Sequence, residues 1–199
     1  MASVARICRA ARVVAEYVTK PKRLTPVQEL AFDVAAVEPP KTCAFVDRCA
    51  VRDNGYLFEL VFWYSAAIDI SLVRVLVPVD ALKFQIADAG HELHESVREG
   101  LKRLGISADT LDIEPPATGA PGQIYWANFF SMADYSLQAT IDCLFLSPRT
   151  INDAVAAGHS PKASDVTAVL GIRLMAPLLL GLLDHIEGLV PSLNARLGL

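Results

Sequence analysis

Four histidines, four cysteines and two arginines set inside apolar runs are the residues of this 199-residue sequence with chemistry to offer. His91 and His94 stand in the stretch HELHE, followed by Glu95. Positions three apart share one helix face, so these three side chains could hold a metal ion. The zincin order H-E-x-x-H is not met, because the second histidine comes one place early. A zinc ion ordinarily takes three or four protein ligands, and a solvated helix face explains HELHE equally well. The sequence therefore predicts no metal and no cofactor. His159 and His185 have no evident partner along the chain.

Cys8, Cys43, Cys49 and Cys143 form neither a C-x-x-C pair nor a zinc spacing, which favours a reducing, cytoplasmic setting. Cys49 has Arg48 and Arg52 nearby, but on alternate faces of a strand, so a packing thiol is expected there. Asp53 and Asp134 recur at equivalent places ahead of a strand and read as turn residues. No G-x-S-x-G, Walker or dinucleotide glycine pattern occurs. No catalytic residue is expected, and the chain does not read as an enzyme.

The two arginines lie in VRVLVP, residues 73–78, and IRLMAP, residues 172–177. A guanidinium in an apolar strand needs a carboxylate or carbonyls if it is buried. Arg74 and Arg173 either pair across an interface between two units, with Asp47 or Asp142 as partners, or point to solvent from a half-exposed strand.

Residues 44–64 and 125–145 can be set one above the other. Val51 falls on Met132, an offset of 81, and both rows carry an apolar residue at every second place. That is the period of a strand with one buried face. Arg74 falls on Arg173 and Pro78 on Pro177, an offset of 99, so the second copy carries an insertion at 147–166. A helical segment follows each proline. The first carries the stripe Leu82, Ile86, Leu93, Val97, Leu101 and Leu104, with Gly105 as C-cap; the second, 178–190, is apolar nearly all round.

The expected fold class is α+β: tandem β-β-β-α units with antiparallel sheets in a pseudo-twofold pair, plus an N-terminal helix over 3–18. The segments are an N-terminal helix and lead-in over 1–42, a first unit over 43–105, a Pro/Gly/Ala-rich linker over 106–123, and a second unit over 124–199. One short helix is expected in the insertion near 150–157, capped by Thr150 or Asn152. The arginines among the first residues faintly suggest a transit peptide, and an amphipathic docking helix explains them too. The apolar run 166–183 is near the length of a membrane span, but its counterpart after Arg74 is too polar to be one, so a strand followed by a helix is expected.

The motifs IYWANFF and IRLMAP, with an alternating strand between them and a helix after, resemble an uncharacterised bacterial family of small domains. The resemblance covers residues 123–190, and the first unit keeps only Asp47 in place of Asn128, and VRVLVP. It implies a β-β-β-α protein with no assigned catalytic residue. At the level of fold alone, a three-stranded sheet backed by a helix also resembles the export chaperone SecB.

Hydrophobic residues make up 53% of the chain and the net charge is −4, so no basic field points to nucleic acid. In the first unit Leu57, Val61 and Trp63 make the second strand apolar on both faces. Such a strand is covered on both faces, here by the N-terminal helix or by another subunit. The leading expectation is a non-enzymatic protein–protein interaction or assembly module, acting on a protein partner or on itself. The alternatives are a SecB-like holdase and a small-ligand binder or enzyme with a pocket between the units.

Overall fold

A computed structural model of the chain describes residues 11–12, 29–30, 36–66, 71–88, 90–112 and 122–199. Ala11–Arg12 (β1) pairs with Glu29–Leu30 (β2). The rest of the expected N-terminal helix lies outside the described residues, and at Ala11 and Arg12 the chain is extended.

Two four-stranded sheets form the body of an α+β fold. The strands are Cys43–Phe45 (β3), Arg48–Asp53 (β4), Leu57–Trp63 (β5), Val73–Pro78 (β6), Gln123–Trp126 (β7), Phe129–Tyr135 (β8), Gln138–Phe145 (β9) and Thr167–Met175 (β10). Their orders are β4-β5-β6-β7 and β3-β10-β9-β8. Val79–Ala81 (α1) runs into a π-helical stretch, Leu82–Asp88, then His91–Arg103 (α2). Pro148–Ala157 (α3) lies in the insertion and Ala176–Leu197 (α4) ends the chain.

Each sheet has one strand more than the alternation predicts. The fourth is parallel, β7 to β6 and β3 to β10, so the sheets are mixed. The pattern of 43–53 runs on unbroken and reads as one strand, but the chain changes sheet at Val46–Asp47. The amide of Val46 donates to the Arg173 carbonyl at 2.9 Å, and the amide of Asp47 donates to that of Trp63 at 3.1 Å. Residues 127–128 repeat the step: Ala127 donates to Leu76 and Asn128 to Leu144, both at 3.1 Å. Side chains brace both crossings. The Asp47 carboxylate accepts from the Ser65 amide at 2.7 Å and its hydroxyl at 2.6 Å. Asn128 accepts from the Leu146 amide at 2.9 Å and donates to the Leu146 carbonyl at 2.8 Å. A crossing strand thus leaves no amide unpaired at its bend, which a buried backbone requires.

The register corrects the alignment of the two arginine motifs. Arg74 stands opposite Val61, whereas the residue opposite Asp142 is Gly171. Arg74 therefore corresponds to Gly171, an offset of 97 (171 − 74), and the proline motifs are two places out of step. The starts of the helices agree, since Val79 and Ala176 fall together at the same offset. Pro78 closes β6 ahead of α1, while Pro177 sits in the first turn of α4, where a missing N–H costs nothing.

Both sheets turn their inner faces to a single core. Phe58, Leu60 and Phe62 of β5 and Ile141 and Cys143 of β9 meet Leu93, Val97 and Leu101 of α2 and the leucines of α4. Residue Gly105, at φ +70, closes α2 as expected, with its amide on Lys102 and that of Ile106 on Leu101. The insertion helix starts two residues earlier than expected. Its cap is Ser147, whose hydroxyl accepts from the Thr150 amide at 3.1 Å, rather than Thr150 or Asn152. Helix α4 is long and apolar enough to cross a membrane by length and composition, with half of its apolar window buried in the fold. The stretch 166–183 divides into the whole of β10 and the start of α4, as its pattern implies.

Replacing Asn128 by Ala removes both bonds to Leu146, a residue with 0% exposure. An unsatisfied buried amide costs about 1–3 kcal/mol, so N128A should lose roughly 2 kcal/mol in urea unfolding. An unchanged midpoint would show that the crossing needs no brace.

Candidate functional site

The two arginines make ion pairs within their own sheets. Arg173 Nη1 donates to Asp142 Oδ1 at 2.9 Å and to the Ile172 carbonyl at 3.2 Å. It reaches Asp142 diagonally across Gly171, where an added Cβ would meet Arg173 Nη1, Cys43 Sγ and Pro40, each at 3.0 Å. The glycine leaves the guanidinium room to lie flat against β10. Arg74 Nε lies 3.6 Å from Glu59 Oε1, and Arg52 approaches the other oxygen at 3.8 Å. Glu59 is 6% exposed and the Arg74 Nε makes no hydrogen bond. In register terms the pair is moved to the neighbouring diagonal: the first sheet has the base where the second has Gly171, and the acid where the second has Thr140. The pairing expected between units is not found; Asp47 serves the crossing instead. Burial pushes its carboxyl up, but the Ser65 hydrogen bonds and Arg48 outweigh this and hold it below the usual carboxylate range.

The face formed by Leu57, Val61 and Trp63 is not open. Val61 is 0% and Trp63 5% exposed; with Ala50 and Leu72 they form a small cluster on the outer side of the first sheet, and Leu57 is half-buried. A strand apolar on both faces is here covered on both faces within one chain. Among the exposed apolar side chains are three on the strands that cross. Phe45 of β3 is 76% exposed, and Ile124 and Trp126 of β7 are 56% and 50% exposed. Phe45 and Trp126 occupy corresponding positions at the offset of 81, on the edge strands of their sheets.

A polar cluster joins α2 to α4. His94 is 3% exposed. Its Nε2 and the Nη2 of Arg98 both reach Asp184 Oδ1 at 2.6 Å and stand 3.0 Å from each other. His94 Nδ1 faces Glu187 Oε2 at 3.4 Å, and Arg98 Nη2 lies 3.6 Å from the same oxygen. His91 Nε2 is 3.6 Å from Glu95 Oε1. Burial pushes the Asp184 carboxyl up, but the bonds from Arg98 and His94 outweigh it and hold it below the usual range. His159 Nδ1 lies 3.0 Å from the Ser160 carbonyl, and His185 is on the exposed side of α4. At the far end of α4, Arg196 donates to Asp53 Oδ1 at 3.0 Å and to the Gly55 carbonyl at 3.1 Å. It also lies over the Phe58 ring at 5.2 Å, so the last helix pins the first hairpin.

The three described cysteines, Cys43, Cys49 and Cys143, have the character of packing groups or surface thiols. Burial pushes the Cys49 thiol up to about 12, helped by Asp112, and raises that of Cys143 too. A thiol so raised supplies no thiolate near neutrality. Cys43 is exposed on β3. Asp53 is a turn residue bound by Arg196 and the Gly55 amide, and both hold its carboxyl low. Its counterpart Asp134 differs. Burial raises its pKa against the hydrogen bond from the Tyr135 amide, and Oδ1 has no partner.

No protein-family model, no curated protein and no solved structure matches the chain.

Because folding raises the Asp134 pKa, its favourable contribution is full below the ordinary value of 3.8 and is lost as pH rises through the folded value. The variant D134N keeps an acceptor for the Tyr135 amide and carries no charge. It should be more stable than wild type at pH 7, with the gain vanishing below pH 3.8. Thermal unfolding across that range checks this; a loss at pH 7 would mean that the charged carboxylate is stabilising.

Proposed function

We propose that this protein is a non-enzymatic assembly module that associates with a second copy of itself through the free edge of β7. The observation that carries the reading is the make-up of that edge. The strand Gln123–Trp126 has no charge and no proline, and its outward residues Ile124 and Trp126 are half-exposed. Edge strands that stay monomeric are ordinarily blunted by lysine, proline or a bulge. The amides of Gln123 and Ala127 donate to β6, so the intervening amides of Ile124 and Trp126 face away from the sheet. Two such edges related by a twofold axis would pair antiparallel and stack their indoles, a self-complementary contact.

The topology gives this reading a rationale. The matching crossings, registers and helix starts support descent of both halves from one duplicated unit. A lone unit of that kind would have no strand to complete its sheet and would have to take one from a second copy. The fused chain meets that need internally and keeps the uncharged edges. Raised cysteine pKa values and the structural use of Asp47, Asp53 and Arg173 support a role without catalysis. A SecB-like holdase would use the same exposed aromatics, but no further observation favours it.

Sedimentation equilibrium tests the reading. Wild type should approach twice the chain mass with rising concentration. W126K, and I124P, which removes an outward amide but no bond to β6, should stay monomeric. A wild type that is monomeric up to its solubility limit would overturn the proposal, as would a dimer indifferent to both substitutions.

A further inference from the structure

We propose that His91, His94 and Glu187 form a binding site for a transition-metal dication of the zinc class, bridging α2 and α4. One potential ligand atom from each lies within 4.8 Å of the others. His91 and His94 are three apart on α2, and Glu187 comes from α4, so the set draws on two helices far apart in sequence.

The geometry around His94 points to a metal ligand. Its Nε2 lies 2.6 Å from Asp184 Oδ1, the distance of a strong hydrogen bond. A neutral imidazole that donates there keeps the lone pair on Nδ1. Asp184 thereby fixes both tautomer and ring orientation, the role a carboxylate plays behind a metal-bound histidine. Nδ1 is 3.4 Å from Glu187 Oε2, long for a charge-assisted hydrogen bond. Two ligands held at about 2.0–2.2 Å from one tetrahedral ion stand about 3.4 Å apart. The observed spacing is thus that of two ligands on one ion. His91 is 56% exposed and free to turn its ring toward the pair. The donor set of two imidazoles and one carboxylate suits zinc, nickel or copper and is a poor match for calcium or magnesium. Arg98 is tied to Asp184 and stands 3.6 Å from Glu187 Oε2, so its charge tempers the affinity without occupying the His94 Nδ1 side.

The site is independent of the β7 edge, and its test does not depend on assembly. Chelator-stripped full-length protein is titrated with zinc by calorimetry and with cobalt by visible absorption. A C8S/C43S background removes the thiols that could bind metal elsewhere. One equivalent should bind per chain, with the cobalt spectrum of a nitrogen- and oxygen-ligated tetrahedral site, and zinc should raise Tm. Both H91A and E187Q replace exposed side chains and should fold; each should weaken binding at least about tenfold and abolish the Tm rise. D184N should weaken it about 10–100-fold by loosening His94. Absence of saturable binding would overturn the proposal. Binding unchanged in H91A and E187Q would overturn it equally.

Discussion

Everything in this fold depends on the bend at which a strand leaves one sheet and joins the other. At Asp47 and at Asn128 the backbone must turn without orphaning an amide, because Val46 and Ala127 at the bends are buried. The amides of residues 46 and 47, and of 127 and 128, each find a carbonyl, on different sheets. One short polar side chain then holds the end of the neighbouring strand, Ser65 in one case and Leu146 in the other. Aspartate and asparagine suit this place because they reach a backbone amide two or three bonds from their own chain. Given the two bends, neither sheet is complete from its own half, and both inner faces must enclose the same helices.

The ion pairs show how the shared frame carries different chemistry. A diagonal across two neighbouring strands holds Glu59 of β5 and Arg74 of β6 in one sheet, and Asp142 of β9 and Arg173 of β10 in the other. In both sheets the acid comes from the hairpin strand and the base from the strand that leads into a helix. Gly171 is the local adjustment that makes the second version fit. A diagonal pair of this kind contributes modestly, on the order of 0.2–1 kcal/mol. Its larger effect is to fix register, since a slip by one residue would put the charges on the inner face.

Much of the fold was legible in the residues. Alternation located strands β4 to β6 and β8 to β10, and the stripe from Leu93 to Leu101 located α2. The crossing was invisible, since a change of sheet does not interrupt a period of two. The two-place error between Arg74 and Arg173 arose because similar motifs were matched by residue type, while the pairing of Arg74 with Val61 is set by hydrogen bonds that leave no mark in composition. Val61 and Trp63 read correctly as covered, though their alternation could not say by what. Around HELHE the helix face and its two histidines were visible. The acidic partners on α4, Asp184 and Glu187, lie some ninety positions away and meet His94 through the packing of α2 on α4. The π-helical stretch at Leu82–Asp88 has no signal in the sequence that we can identify.

The parallel pairing of β3 with β10 has a temporal consequence. A ribosome releases Cys43–Phe45 long before Thr167–Met175 exists, and the bend at Asp47 needs the Arg173 carbonyl to satisfy Val46. Closing such a distant contact is slow in entropic terms. The sheet β4-β5-β6 can assemble early and then accept β7, but β3, which belongs to the other sheet, must wait until β10 has been made. Nascent chains of this protein therefore pass through a long interval in which β3 lacks its neighbour β10 and the Val46 amide lacks the Arg173 carbonyl.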